Sequence, residues 1–208
     1  MASVLGFIND VYIVNQTGGT GGSTLSSATI NQARAQTDAD NVTFVCADGV
    51  DVPITNLAVT IAPNSTSSLI TLNLNLCGEW NTLVSSYEAM VSIKRAISDG
   101  TTETIRNADS GTTGSNQGIQ PFMISFHNNA NSTMESCNIN YTDNLGLQTL
   151  TSSSTVTYTP VLTLKSQSQS SATFYMNRTV QNPITAGTES GISTFHAVDN
   201  VTTLAFSS

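Results

Sequence analysis

Two histidines, His127 and His196, limit the acid–base chemistry this chain can run. A hydrolytic triad needs a nucleophile, an imidazole and a carboxylate that converge, and Ser is so frequent here that no single one stands out. The sequence holds neither a Gly-x-Ser-x-Gly elbow nor a phosphate-cradling Gly loop. His196 lies in register with Thr194 and Val198 and is expected to make a structural hydrogen bond on a strand face. His127 is expected at a strand end, before Asn128-Asn129. Asp38-Ala39-Asp40-Asn41 has the oxygen spacing that opens a calcium loop, but the Gly and the distal Glu of such a loop are missing. A solvated turn is the expectation there. Cys46, Cys77 and Cys137 are odd in number and widely spaced, with no paired pattern for zinc or redox chemistry, which predicts buried free thiols. Glu79-Trp80, with Tyr87 nearby, would form an aromatic sugar platform if exposed; core or interface packing is the competing use of the chain's one Trp. The paired carboxylates of a glycosidase cannot be read from linear spacing. The expectation is a protein without enzyme activity, cofactor or metal.

Composition says what kind of scaffold would carry these residues. The chain has 208 residues, enough for a substantial core, and only 10% of them are charged. Ser, Thr and Asn dominate the polar part. Branched Thr favours extended backbone, while Ser and Asn compete with a helix for local hydrogen bonds, so an all-β protein follows. The net charge of -8 reflects few basic groups, and Arg34, Lys94, Arg95, Arg106, Lys165 and Arg178 form no run. Nucleic acid is therefore not an expected partner, because phosphate neutralisation needs a clustered basic face. The first ten residues have no basic n-region and no apolar run long enough for a membrane span, so synthesis in the cytoplasm is expected. Sequons at Asn41, Asn64, Asn131, Asn140 and Asn177 are about as many as this composition produces by chance.

Hydrophobic periodicity then places the elements. Val4 to Val14 is apolar enough for a strand or for insertion into a neighbour, and Gly18, Gly19, Gly21 and Gly22 follow as a flexible joint. The stretch from Ser26 to Gln36 predicts one or two helical turns capped by Ser or Thr. Strands are expected at Val42–Ala47, Leu57–Ile61 and Ser67–Leu76, the last with Ile70, Leu72, Leu74 and Leu76 on one face. Cys77 to Asn81 is expected to turn. Tyr87, Ala89, Val91, Ile93 and Ile97 share the next face, and Ser98-Asp99-Gly100-Thr101 returns the chain into Thr102–Arg106. Further strands are expected at Pro121–His127 and Ser136–Tyr141. Val156, Tyr158, Leu162 and Leu164 alternate with polar residues, as do Ala172, Phe174 and Met176. The Ser/Gln link between these two runs predicts a hairpin. In the final strand, Ile192, Thr194, His196 and Val198 take one face and Ser193, Phe195, Ala197 and Asp199 the other.

The run of a strand, a Ser-rich link, Tyr175-Met176-Asn177-Arg178-Thr179, a loop, and then Gly191-Ile192-Ser193-Thr194-Phe195 through Asp199 resembles the end of a known domain. It is similar to the complement-globular-head and tumour-necrosis-factor-like jelly rolls of tailed bacteriophages. The resemblance covers residues 62 to 206 and rests on pattern. It implies an antiparallel jelly-roll sandwich at 62–208, preceded by an extended, partly β N-terminal arm at 1–61. It also implies a homotrimer, with Ile192, Phe195, His196 and Val198 at the seam where the family's last strand nears the three-fold axis.

On that resemblance the chain is expected to be a viral structural protein, a capsid decoration (cement or knob) protein on the virion surface. No repeat or heptad pattern of a fibre stalk is present. Val4, Leu5, Phe7 and Ile8 are the expected anchor of the arm on the major capsid protein or another virion protein. The alternative is the receptor-binding head of a tail fibre or spike, in which the polar loops Asp109–Gly118 and Asn128–Glu135 would mediate host attachment by holding a host glycan.

Overall fold

A computed structural model describes residues 11–12, 28–29, 32–37, 42–81, 89–100, 102–105, 134–164, 170–180 and 191–200. The expectations at Val4–Ile8, Asp38–Asn41, Tyr87, Asp109–Gly118 and Pro121–His127, and the Asn128–Thr133 part of the Asn128–Glu135 loop, lie outside them. The strands are β1 (Val11–Tyr12), β2 (Ala28–Thr29), β3 (Gln32–Thr37), β4 (Val42–Ala47), β5 (Asp51–Pro53), β6 (Val59–Ile61) and β7 (Leu69–Trp80). They continue with β8 (Ala89–Ile97), β9 (Thr102–Ile105), β10 (Glu135–Asn144), β11 (Val156–Leu164), β12 (Ser171–Met176) and β13 (Ser193–Asn200). The only helical elements among the described residues are 3-10 turns at Thr55–Leu57 and Leu145–Leu147. The fold is an all-β, jelly-roll-like sandwich.

The larger sheet is built on β7. Strand β10 pairs along one of its edges from Leu69 to Gly78, and β13 pairs along the other from Leu69 to Asn75. Beyond Asn75, β12 takes over that second edge, opposite Gly78 to Trp80. Outward from these, β3 pairs with β13 and β4 with β12. In the smaller sheet, β11 is flanked on one edge by β8, which pairs in turn with β9, and on the other by β6 and then β5. Pro160 sits within β11, and its carbonyl accepts the Ile54 N–H in the gap between β6 and β5. The missing proline donor therefore falls where no ladder bond is required. The inward side chains form one core: Ile70, Leu72, Leu74 and Leu76 of β7 meet Val91 and Ile93 of β8 and Val156, Tyr158, Leu162 and Leu164 of β11.

Several expectations are corrected by this pairing. Residues 32 to 61 are not an arm, since β3 to β6 are strands of both sheets and the 61/62 boundary cuts through the sandwich. The Ser26–Gln36 helix is replaced by β2 and β3; Ala, Gln and Arg favour helices locally, but the open edge of β13 recruits the segment as a strand. Cys77 to Trp80 does not turn but extends β7. Strands β11 and β12 do not pair with each other; the link between them crosses from the smaller sheet to the larger.

Candidate functional site

Charge enters the core at one end of the sandwich. Along β8 the inward positions run Val91, Ile93, Arg95 and Ile97, so the guanidinium of Arg95 is carried inside, where it is 4% exposed. Its register neighbours are Tyr158 on β11 and Glu103 on β9. On the facing sheet, the inward positions of β10 run Cys137, Ile139, Tyr141 and Asp143, and Asp143 is 3% exposed. Arg95 Nη1 donates to Asp143 Oδ1 at 2.5 Å, the Tyr158 hydroxyl donates to Asp143 Oδ2 at 2.8 Å, and Arg95 Nη2 bonds Glu103 Oε1 at the rim. The two sheets are thus joined by a charge pair with both carboxylate oxygens occupied. Burial, reinforced by the negative charge of Asp143, pushes the Tyr158 hydroxyl above its ordinary value. The phenol therefore stays a donor to Asp143.

A second inward acid lies beside the first. Asp143 on β10 and Asp199 on β13 both face Ile70 of β7 from opposite sides. Asp199 Oδ2 accepts from the Asn64 N–H at 2.7 Å and the Ser68 hydroxyl at 2.9 Å, pinning the turn before β7 to the end of β13. These bonds give the acids structural work as connectors between elements.

Where β7 exchanges β13 for β12, three residues join the strands, Cys77 through its backbone and Ser193 and Asn177 through their side chains. The Cys77 N–H donates to Ser193 Oγ at 3.0 Å, the Ser193 hydroxyl donates to Asn177 Oδ1 at 2.6 Å, and the Asn177 N–H donates to the Cys77 carbonyl at 2.9 Å. Asn177 adopts a left-handed backbone, φ 64°, which Asn tolerates better than most residues. Gly78 lets β12 close on β7: a Cβ there would overlap the Tyr175 carbonyl and the Phe174 ring. Phe174 packs on Trp80 at 5.2 Å between ring centroids, and Trp80 is in the core. The sugar-platform reading of Glu79-Trp80 is corrected accordingly.

The three cysteines are free and buried, as their spacing predicts. Burial raises the Cys46 thiol from 9.0 to about 12 and that of Cys137 to about 11, and also raises Cys77. None is a thiolate at neutral pH. No group of three or more His, Cys, Asp or Glu among the described residues is placed to hold a metal ion.

The outer surface of the larger sheet faces away from the core. Register sets three rows across β10, β7 and β13: Asn138, Asn75 and Thr194; Asn140, Asn73 and His196; Thr142, Thr71 and Val198. Asn140 Nδ2 donates to Asn73 Oδ1 at 2.6 Å within the middle row. All nine side chains are half-buried or exposed, and none is Asp, Glu, Lys or Arg. Of the four residues expected at a trimer seam, Ile192 is exposed and His196 and Val198 lie half-exposed on this face. Phe195 does not join them. It points to the opposite side and is fully buried in the chain's own core, so it has no surface to offer a neighbour.

No family model matches the sequence, and no curated protein matches it. Among solved structures, the chain is similar to that of infectious bursal disease virus, Gx strain. The identity is 12%, the match covers 96% of this chain and 43% of that one, and the TM-score is 0.42. The Gt strain structure of the same virus matches at 13% identity over 94% of this chain and 44% of that one, TM-score 0.41. The VP2 subviral particle of the virus matches at 14% over 94% and 43%, TM-score 0.34. The chain spans less than half the length of each of these.

Proposed function

We propose that this chain is a structural protein of a virus particle, a homotrimeric decoration or knob protein whose jelly roll stands on the capsid surface. The observation that carries the reading is the run of uncharged residues on the outer face of β10, β7 and β13, bordered on β3 by Arg34, the register partner of His196. A sheet face built for water usually carries Lys and Glu, whereas depletion of charge marks the middle of a protein interface. The rows present polar Asn, Thr and His side chains for contact with a second copy, and Val198 adds apolar contact. The buried charge pair and the Cys77–Asn177–Ser193 junction tie together the strands behind that face.

The test has two arms. Mixed with capsids that lack it, the full chain should sediment with the particles and saturate at a fixed ratio to capsid subunits. Placing charge on the face, with Asn73→Glu and Val198→Glu together, should make the trimer dissociate at concentrations roughly tenfold higher or more. An unaltered trimer in that variant would reject the face as the contact. Binding to host-surface glycans without binding to capsids would instead identify a receptor-binding head.

A further inference from the structure

The three uncharged rows on the outer face of the larger sheet include one side chain able to gain a charge near neutral pH. His196 ends the middle row, opposite Asn73 on β7 and in line with Asn140 on β10. It is half-exposed, and Thr194 and Val198 flank it on its own strand. The other members of the rows are Asn, Thr and Val, none of which titrates in water.

The elements packed against β13 decide what a proton on that ring would meet. On β3 the paired positions run Gln32, Arg34 and Gln36, and Arg34 is the register partner of His196. On β7 the outward positions opposite β13 are Thr71, Asn73 and Asn75. Strand β13 also meets β6 and the turn at Thr55–Leu57, which hold no charged residue. Asp199 of β13 itself faces the core, where Asn64 and Ser68 bond it. Further along β7, burial keeps Cys77 a thiol, and Glu79 stands opposite Tyr175 of β12. The charge adjacent to His196 in the register is therefore positive. Covered by a second copy, an imidazolium there would lose water and stand beside a guanidinium position, and both effects favour the neutral ring.

We propose that His196 makes association of this chain acid-sensitive: copies join over the three rows while the ring is neutral and separate as it takes up a proton. This rests on the homotrimer reading and adds its regulation. The sign follows from linkage. In the dissociated chain an ordinary imidazole protonates as pH falls through about 6.5, whereas the covered ring resists. Association is then at full strength above that pH and weakens below it. Every copy carries the ring, so the losses add.

The experiment is light scattering of the full chain in a dilution series at constant ionic strength, at about pH 7.5 and about pH 5.5, which bracket the ordinary imidazole value. The concentration at which the trimer is half dissociated should be roughly tenfold higher at the lower pH, since that lies about one unit below the imidazole value. His196→Gln, polar but unable to charge, should give the same midpoint at both pH values. His127→Gln, which alters the only other His of the chain, should keep the full difference. Ring-proton resonances of the unaltered chain supply a check that needs no variant: His196 should take up its proton at lower pH in the trimer than in the dilute chain. Equal midpoints for the unaltered chain would overturn the acid sensitivity and leave the trimer standing. A difference that survives His196→Gln, or a His196 ring that titrates alike in both states, would overturn the role of this residue. A single chain mass at both pH values would overturn the homotrimer reading, and this one with it.

Discussion

Asp143 holds the two sheets together through partners that become liabilities once it is gone. Removing it leaves Arg95 Nη1 and the Tyr158 hydroxyl buried without an acceptor, with only Glu103 at the rim still pairing the guanidinium, whereas removing the whole charge pair leaves a core that apolar side chains can fill. Asp143→Ala should therefore lower stability by about 3–5 kcal/mol, measured as a shift in the urea midpoint. Asp143→Leu combined with Arg95→Met should recover most of that loss. If the double variant is as unstable as the single, the pair does more than satisfy itself. The thiols give a prediction of definite sign. Burial raises Cys46 from 9.0 to about 12 and Cys137 to about 11, so the folded chain keeps protons that the unfolded chain releases. Stability is constant in this respect below about pH 9 and falls as pH rises from there towards 11 and 12. Urea midpoints taken from pH 8 to 11 should decline, and Cys46→Ala together with Cys137→Ala should flatten the decline.

At the scale of the element, the passage of β7 from one neighbour to the next depends on Gly78. A Cβ there meets the Tyr175 carbonyl and the Phe174 ring, neither of which can move without opening the sheet. At Gly191 the first obstacle is the end of the flexible Met134 side chain. Gly78→Ala should cost about 3 kcal/mol and Gly191→Ala under about 1 kcal/mol, and equal losses in thermal denaturation would refute the distinction.

The same strands mark what the sequence makes legible. Alternation identifies β7, β8, β10, β11 and β12 and the face each turns inward, because a half-buried strand imposes a period of two; it identifies β13 as a strand but not its inward face, since Phe195, expected at a trimer seam, is in the core. It does not reveal which sheet a strand joins. The Ser/Gln link after β11 reads locally as a hairpin, yet each strand finds longer-range partners. Nor does it reveal β7's continuation past Cys77, where Gly78 signals close approach and not a turn. The buried acids and Arg95 do leave a trace: each is a charge in phase with an apolar run, as in Ile93-x-Arg95-x-Ile97. What no linear pattern contains is that Arg95 and Asp143, on opposite sheets, meet.

For the whole molecule, the proposed homotrimer rests on the uncharged rows across β10, β7 and β13, which other copies would cover. A monomer would leave these charge-free rows in water, whereas depletion of charge is the mark of an interface centre. The measurement that tests this most directly is the solution mass of the full chain by light scattering across a dilution series. The account predicts three chain masses, falling to one only at high dilution. A single chain mass at every concentration would contradict it.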